Sequence, residues 1–119
     1  MAADIKLSIY MPEKRVLNQY VYRIVLPCQN KTLTVIKDRA PTLLPLDMGA
    51  LQILNEDGAI CEEYLIAGGL ADIKQNTCTI LTESIFNRKD LNLEKVRELY
   101  KEFKNPFYQW LVQLFESGK

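Results

Sequence analysis

The residues equipped for chemistry in this chain are 15 aspartates and glutamates, 15 lysines and arginines, three cysteines and no histidine. The lack of histidine removes the commonest general base, the usual partner of a serine or cysteine nucleophile, and the commonest metal ligand. Carboxylates and lysines could still act as acids and bases, but they are scattered among turns and along one helix face rather than gathered at a motif's spacing. Cys28, Cys61 and Cys78 are far apart, odd in number and form no C-x-x-C pair, so neither a disulfide framework nor a zinc site is indicated. They read as small buried hydrophobes. Catalysis by this chain is not expected, and its working residues must be sought in contacts with other molecules.

The charge balance narrows those molecules. Net charge is zero, so no field is available to attract a phosphate backbone or an anionic membrane, and nucleic acid is not an expected partner. No apolar run approaches the roughly 20 residues of a transmembrane helix. The start, MAADIKLSIY, lacks a basic stretch followed by an apolar signal core. The expectation is a protein in the cytosol, or on the cytosolic side of a membrane complex. At 119 residues the chain has room for one core and a small appendage.

The elements that would position any contact are strands first and helices last. IKLSIY (5–10) alternates apolar and polar residues, the mark of a strand with one buried face. YVYRIVLP (20–27) is apolar on both faces and reads as a central strand ended by Pro27. KTLTVIK (31–37) and MGALQIL (48–54) follow, NEDG (55–58) is a hairpin turn, and AICEEYLIA (59–67), GLADIK (69–74) and TCTILTE (77–83) complete the series. Many short strands with polar turns indicate an antiparallel β-sandwich, here of about ten strands over residues 1–86. After the polar joint NRKD (87–90), Leu93, Val96, Tyr100 and Phe103 recur at helical spacing. Asn105 and Pro106 suit the cap and first position of a second helix, in which Phe107, Trp110, Leu111, Leu114 and Phe115 share a face. Its polar face lacks lysine and arginine, so it is expected to fold back within the chain or its complex rather than lie on a membrane. Residues 87–119 thus form a two-helix tail.

Gly68 and Gly69 sit together inside this strand-rich region, although glycine weakens a strand. Two explanations stand: a bend that serves the sandwich's own curvature, or a flat place where a partner's backbone comes close.

The order of short signals, MPEKRV (11–16), IVLP (24–27), APTLLPLDMGALQI (40–53) and IAGGLADIKQNTCTIL (66–81) ahead of a two-helix tail, resembles the epsilon subunit of F-type ATP synthases, called delta in mitochondria. The resemblance covers about residues 5–86. It implies a flattened β-sandwich with a helical hairpin, and a non-catalytic role in the central stalk that couples the gamma subunit to the membrane c ring during proton-driven ATP synthesis. It also implies placement at the cytoplasmic face of a bacterial membrane, or the organelle equivalent, as a peripheral subunit. Position by position, Met11, Arg39, Leu44, Gly68 and Gly69 correspond to the gamma-facing side, and Cys28, Gln29, Asn30, Lys31 and Thr32 to the ring-facing turn.

The chain departs from the family where glycines after the IVLP-like strand become CQNKTLTV, and where a P-G-H-A-P stretch becomes KDRAP, with Arg39 at the histidine position. LNLEKVRELYKEF replaces the I-D-x-x-R-A-like opening of ATP-binding tails, so no cofactor is expected. A regulatory inhibitor of ATP hydrolysis acting through the helices, and a stand-alone binding module, are the alternative readings.

Overall fold

Alternation writes the first strand as expected. In the computed structural model, which describes residues 3–38 and 40–118, β1 (Ile5–Met11) buries Ile5, Leu7 and Ile9 completely and turns Lys6 and Ser8 outward. The remaining strands are β2 (Lys14–Val21), β3 (Arg23–Cys28), β4 (Lys31–Val35), β5 (Thr42–Leu54), β6 (Ile60–Lys74), β7 (Thr77–Leu81) and β8 (Ile85–Asn87). They join in one sheet ordered β2-β1-β7-β6-β5-β3-β4, with β8 also paired to β6.

This sheet folds over on itself because β5 and β6 run through both layers. Thr42–Leu46 of β5 pairs with Gly69–Ile73 of β6, which continues through β7 and β1 to β2. Met48–Leu54 pairs with Ile60–Ala67, flanked by β3 and β4 on one side and β8 on the other. The inner faces of both layers meet in one core that includes Leu7, Ile24, Leu26, Leu51, Ile66 and Ile80. The described residues therefore form eight strands, not about ten. Stretches on either side of Asp47 and of the glycine pair, which look separate in sequence, are continuous strands that bend without losing their partners.

Two further boundaries differ from expectation. The stretch 20–27 is divided at Tyr22 between β2 and β3, and Pro27 does not end β3, which runs to Cys28. Pairing of β3 with β5 stops at Val25, so the missing N–H of Pro27 falls where the ladder has already parted. Its ring fills the space left by Gly49, where an added Cβ would lie 2.9 Å from Pro27 Cβ. Of the three cysteines expected to be buried, only Cys78 is; Cys28 is half-buried, and Cys61 is exposed beside the β5–β6 turn.

The polar joint winds into a 3-10 turn (Arg88–Asp90), and α1 (Leu93–Phe103) and α2 (Pro106–Glu116) follow. Asn92 and Asn105 cap them, their side-chain oxygens accepting from the N–H of Lys95 at 2.8 Å and of Tyr108 at 3.1 Å. The helices cover the outer face of the second layer: Leu65 of β6 is buried with Leu91, Val96, Phe107 and Leu111, and Ala50, Ala67 and Phe86 pack beside them. Each such apolar side chain contributes about 1.5–3 kcal/mol by leaving water. Phe103, expected on the buried face, is 48% exposed and lies against the Tyr108 ring instead.

Candidate functional site

With one outer face covered by helices, the outer face of the other layer is the exposed broad surface of the sandwich. Its composition follows from register. Ala71 and Ile73 of β6 and Cys78 and Ile80 of β7 point inward, so Leu70 and Leu81 point out. Pairing aligns Pro45, Leu70, Leu81 and Tyr10 in one row across four strands. Leu43, two residues from Pro45 on the same side, is 66% exposed; Leu81 is 50% and Leu70 37% exposed. One step along the strands the row becomes Leu43, Asp72, Thr79 and Ser8, so the apolar band has a polar border except on β5, where Leu43 extends it.

A groove of about 690 Å³ runs along the end of this row, floored by Met11, Gly69, Leu70 and Leu81 and edged by Glu13, Arg15 and Glu83. Apolar ground with mixed charges at its rim is the composition of a protein-docking surface.

The glycine pair shapes this groove. Gly68 (φ +99°) and Gly69 (φ +145°) adopt backbone conformations that side chains disfavour. Here β6 exchanges one neighbour for another: Leu70 pairs with β7, whereas Ile66 pairs with β8. Residues 82–84 cross the gap, with the Thr82 hydroxyl donating to the Gly68 carbonyl at 2.6 Å and the Ala67 N–H donating to the Ser84 carbonyl at 3.0 Å. A Cβ on Gly69 would overlap the Leu81 carbonyl oxygen, and one on Gly68 would lie 3.1 Å from the Leu46 carbonyl oxygen. The close backbone approach is thus within the chain itself.

The residues singled out in sequence do not all gather. Met11 and Gly69 meet at the groove, Gly68 is buried behind it, and Leu44 is half-buried against the core while Leu43 faces out. Arg39 lies outside the described residues. The row Pro45, Leu70, Leu81 and Tyr10, with Leu43 beside it, is not among the residues expected from sequence. Its signal was present, because apolar residues occur at both parities of GLADIK (Leu70 against Ala71 and Ile73) and TCTILTE (Leu81 against Cys78 and Ile80), which means that both faces of those strands carry apolar residues.

Cys28 to Thr32 form the β3–β4 hairpin, exposed from Gln29 to Thr32. Gln29 (φ 50°) and Asn30 (φ 62°) are both left-handed, as a two-residue type I′ turn requires. The Asn30 N–H donates to Asp47 Oδ2 at 2.7 Å, fixing the hairpin to the bend of β5.

Burial, and then the charge of Asp72, push the Cys78 thiol up to about 12. Burial, the hydrogen bond to Glu62 and the charges of Glu62 and Asp90 push Tyr64 up to about 12. Among the described residues, no three His, Cys, Asp or Glu side chains are placed to hold a metal ion.

The family model for the ATP synthase delta/epsilon chain β-sandwich domain matches residues 4–88, and thus the whole sheet. The chain belongs to the ATP synthase delta/epsilon family. Among named relatives, the ATP synthase epsilon chain of Gluconacetobacter diazotrophicus is 31% identical over 103 residues, which span 87% of this chain and 72% of that one. The epsilon chain of Pelagibacter ubique is 31% identical over 100 residues, 83% of this chain and 75% of that one. Solved structures share the fold. A chain of the Euglena gracilis mitochondrial ATP synthase OSCP/F1/c-ring structure superposes with a TM-score of 0.70 at 22% identity, covering 86% of this chain and 64% of that chain. One from the Tetrahymena thermophila mitochondrial ATP synthase central stalk/c-ring structure gives a TM-score of 0.64 at 21% identity, covering 97% and 96%. Among the described residues of this epsilon-family chain, no helix is long and apolar enough to cross a membrane.

Proposed function

We propose that this chain is the non-catalytic central-stalk subunit of an F-type ATP synthase, joining the gamma subunit to the membrane c ring at the cytoplasmic face of a bacterial membrane or its organelle equivalent. The observation that carries the reading is the apolar row Pro45, Leu70, Leu81 and Tyr10, with Leu43 beside it and the groove at its end, on the outer face that the tail leaves open. Gamma docks there, with Met11 and Gly69 at the edge of the contact. Leu44 supports this contact from within, and Arg39, which lies outside the described residues, is assigned to it by the family correspondence alone. Gly68 acts indirectly, by holding the bend. The β3–β4 hairpin, Cys28 to Thr32, faces the c ring. Its exposed polar residues suit polar loops of ring subunits, and its anchor to Asp47 lets it bear load. Residues 1–86 are the sandwich domain and 87–119 a tail that braces it. The tail has a structural role, because its aromatic face is already spent on Leu65 and its neighbours. Catalytic groups reside in other subunits.

Torque transmission calls for a broad interface, since isolated surface ion pairs are worth only about 0–1 kcal/mol. Co-expression with the cognate gamma subunit tests the assignment. A one-to-one complex on size exclusion that Leu81→Asp abolishes, while the variant keeps the thermal stability of the parent, is the expected result. A chain that stays monomeric beside folded gamma overturns the reading.

A further inference from the structure

One side chain touches both the sheet and the far end of the tail. Arg88 stands in the 3-10 turn where the sandwich passes into the helices. Its Nη1 lies 3.4 Å from Glu63 Oε1 on β6, and its guanidinium carbon lies 5.5 Å from the centre of the Phe115 ring in the last turns of α2. Glu63 is held from its other side, where Gln52 Nε2 of β5 donates to Oε2 at 3.1 Å. The Arg88 and Glu63 side chains are 25% and 19% exposed, so solvent screens them less than a surface pair. A second pair, Arg97 with Glu116 at 3.1 Å, joins α1 to α2 and does not reach the sheet.

Apolar packing holds α2 unevenly. Phe107 and Leu111 are buried, whereas Leu114 and Phe115 are half-buried and Gln113 and Glu116 are exposed. The first half of α2 is fixed by the core it completes; the second half packs on that core only through the half-buried Val112, Leu114 and Phe115, and is held to the sheet in addition by Arg88 and to α1 by the Arg97–Glu116 pair. We propose that Arg88 is a latch which, by joining Glu63 to Phe115, holds the carboxyl-terminal half of α2 on the sheet, so that the tail opens from its free end when the latch is released. A guanidinium suits this task because its planar fork can bond a carboxylate while its face lies on an aromatic ring. The inference does not depend on the partners proposed above.

Hydrogen exchange on the full chain, resolved by peptide, tests it. In Arg88→Gln, amides of residues 112–117 should exchange about tenfold faster, the loss expected for one partly buried ion pair with its ring contact. Those of β6 and of the first turns of α1 should be unchanged. Phe115→Leu, which keeps an apolar side chain, should give a similar rise, and the double variant no more than the larger single effect. Raising salt should speed exchange of 112–117 more in the parent chain than in Arg88→Gln, where only the exposed Arg97–Glu116 pair remains to be screened. Equal exchange in parent and Arg88→Gln, or a rise spread evenly over sandwich and tail, overturns the latch. Should the variants lose their fold, flat salt dependence of these amides in the parent chain overturns it alone.

Discussion

Replacing Gly69 by alanine should cost far more than adding one methyl group usually does. The residue sits at φ +145°, where a side chain adds roughly 1–3 kcal/mol of backbone strain. Its Cβ would overlap the Leu81 carbonyl oxygen and lie 3.0 Å from the Leu81 carbonyl carbon and 3.2 Å from Thr82 Cα. All three are backbone atoms, so no side chain can swing aside, and β6 must move away from β7 where Leu70 pairs with Leu81. Such overpacking costs typically another 1–3 kcal/mol. The midpoints sum to about 4 kcal/mol, which should lower Tm by about 16 °C for a chain of this length. Gly58→Ala is the control: Gly58 also has positive φ (+87°) but nothing within 4 Å of a Cβ, so it should lose about 1 kcal/mol. Thermal and urea unfolding of both variants, followed by circular dichroism, measure the difference. If Gly69→Ala falls within 1 kcal/mol of Gly58→Ala, the close approach of β7 is not what requires glycine there.

Gln29→Gly should raise stability by about 1 kcal/mol in urea unfolding, because a residue at φ 50° in a type I′ turn is relieved by glycine; a loss would mean that the Gln29 side chain holds the hairpin. In folded protein an aromatic disulfide reagent should modify Cys61 quickly and Cys78 only on unfolding; early reaction of Cys78 would contradict its burial. Cys78 and Tyr64 keep their protons to about 12 when folded, against 9.0 and 10.0 unperturbed, so unfolding releases protons above pH 9. Their stabilisation is complete below pH 9 and is lost as pH rises toward 12, so the urea midpoint should decline from pH 9 to 11, and a flat midpoint would refute it.

The strand region was legible wherever one face of a strand is wet and the other dry, as at Ile5, Leu7 and Ile9. It was misread where both faces are apolar, because alternation then vanishes and a bend looks like an end. Asp47 and the Gly68–Gly69 pair resemble breaks in sequence, yet hydrogen bonds to β5 persist across them. β8 is three residues long and pairs only with β6, so nothing local announces it. Helix boundaries were legible because asparagine and proline have specific tasks at helix starts. The candidate site was legible only in part: the glycines carry a local signal and Met11 entered only through the family correspondence, whereas the row through Leu70 and Leu81 is created by pairing strands distant in sequence.

That difference bears on how the glycine pair serves function. Of the two explanations suggested by the sequence, one is a bend that serves the sandwich's own curvature and the other a flat place where a partner's backbone comes close. The structure puts β7 there, yet the same residue floors the groove beside Met11. The two roles are physically linked. A strand that kept its ordinary course past residue 69 would continue along β8 and leave β7 without its neighbour on that side; the positive-φ step carries it into the other layer and sets Leu70 and Leu81 side by side facing out. If gamma docks on this face as proposed, the glycines serve it chiefly by building the surface, with Gly69 only at the edge of the contact. A conformational change at Gly69 should weaken gamma binding only as far as it displaces Leu70 and Leu81, whereas Leu81→Asp should weaken it with the bend intact.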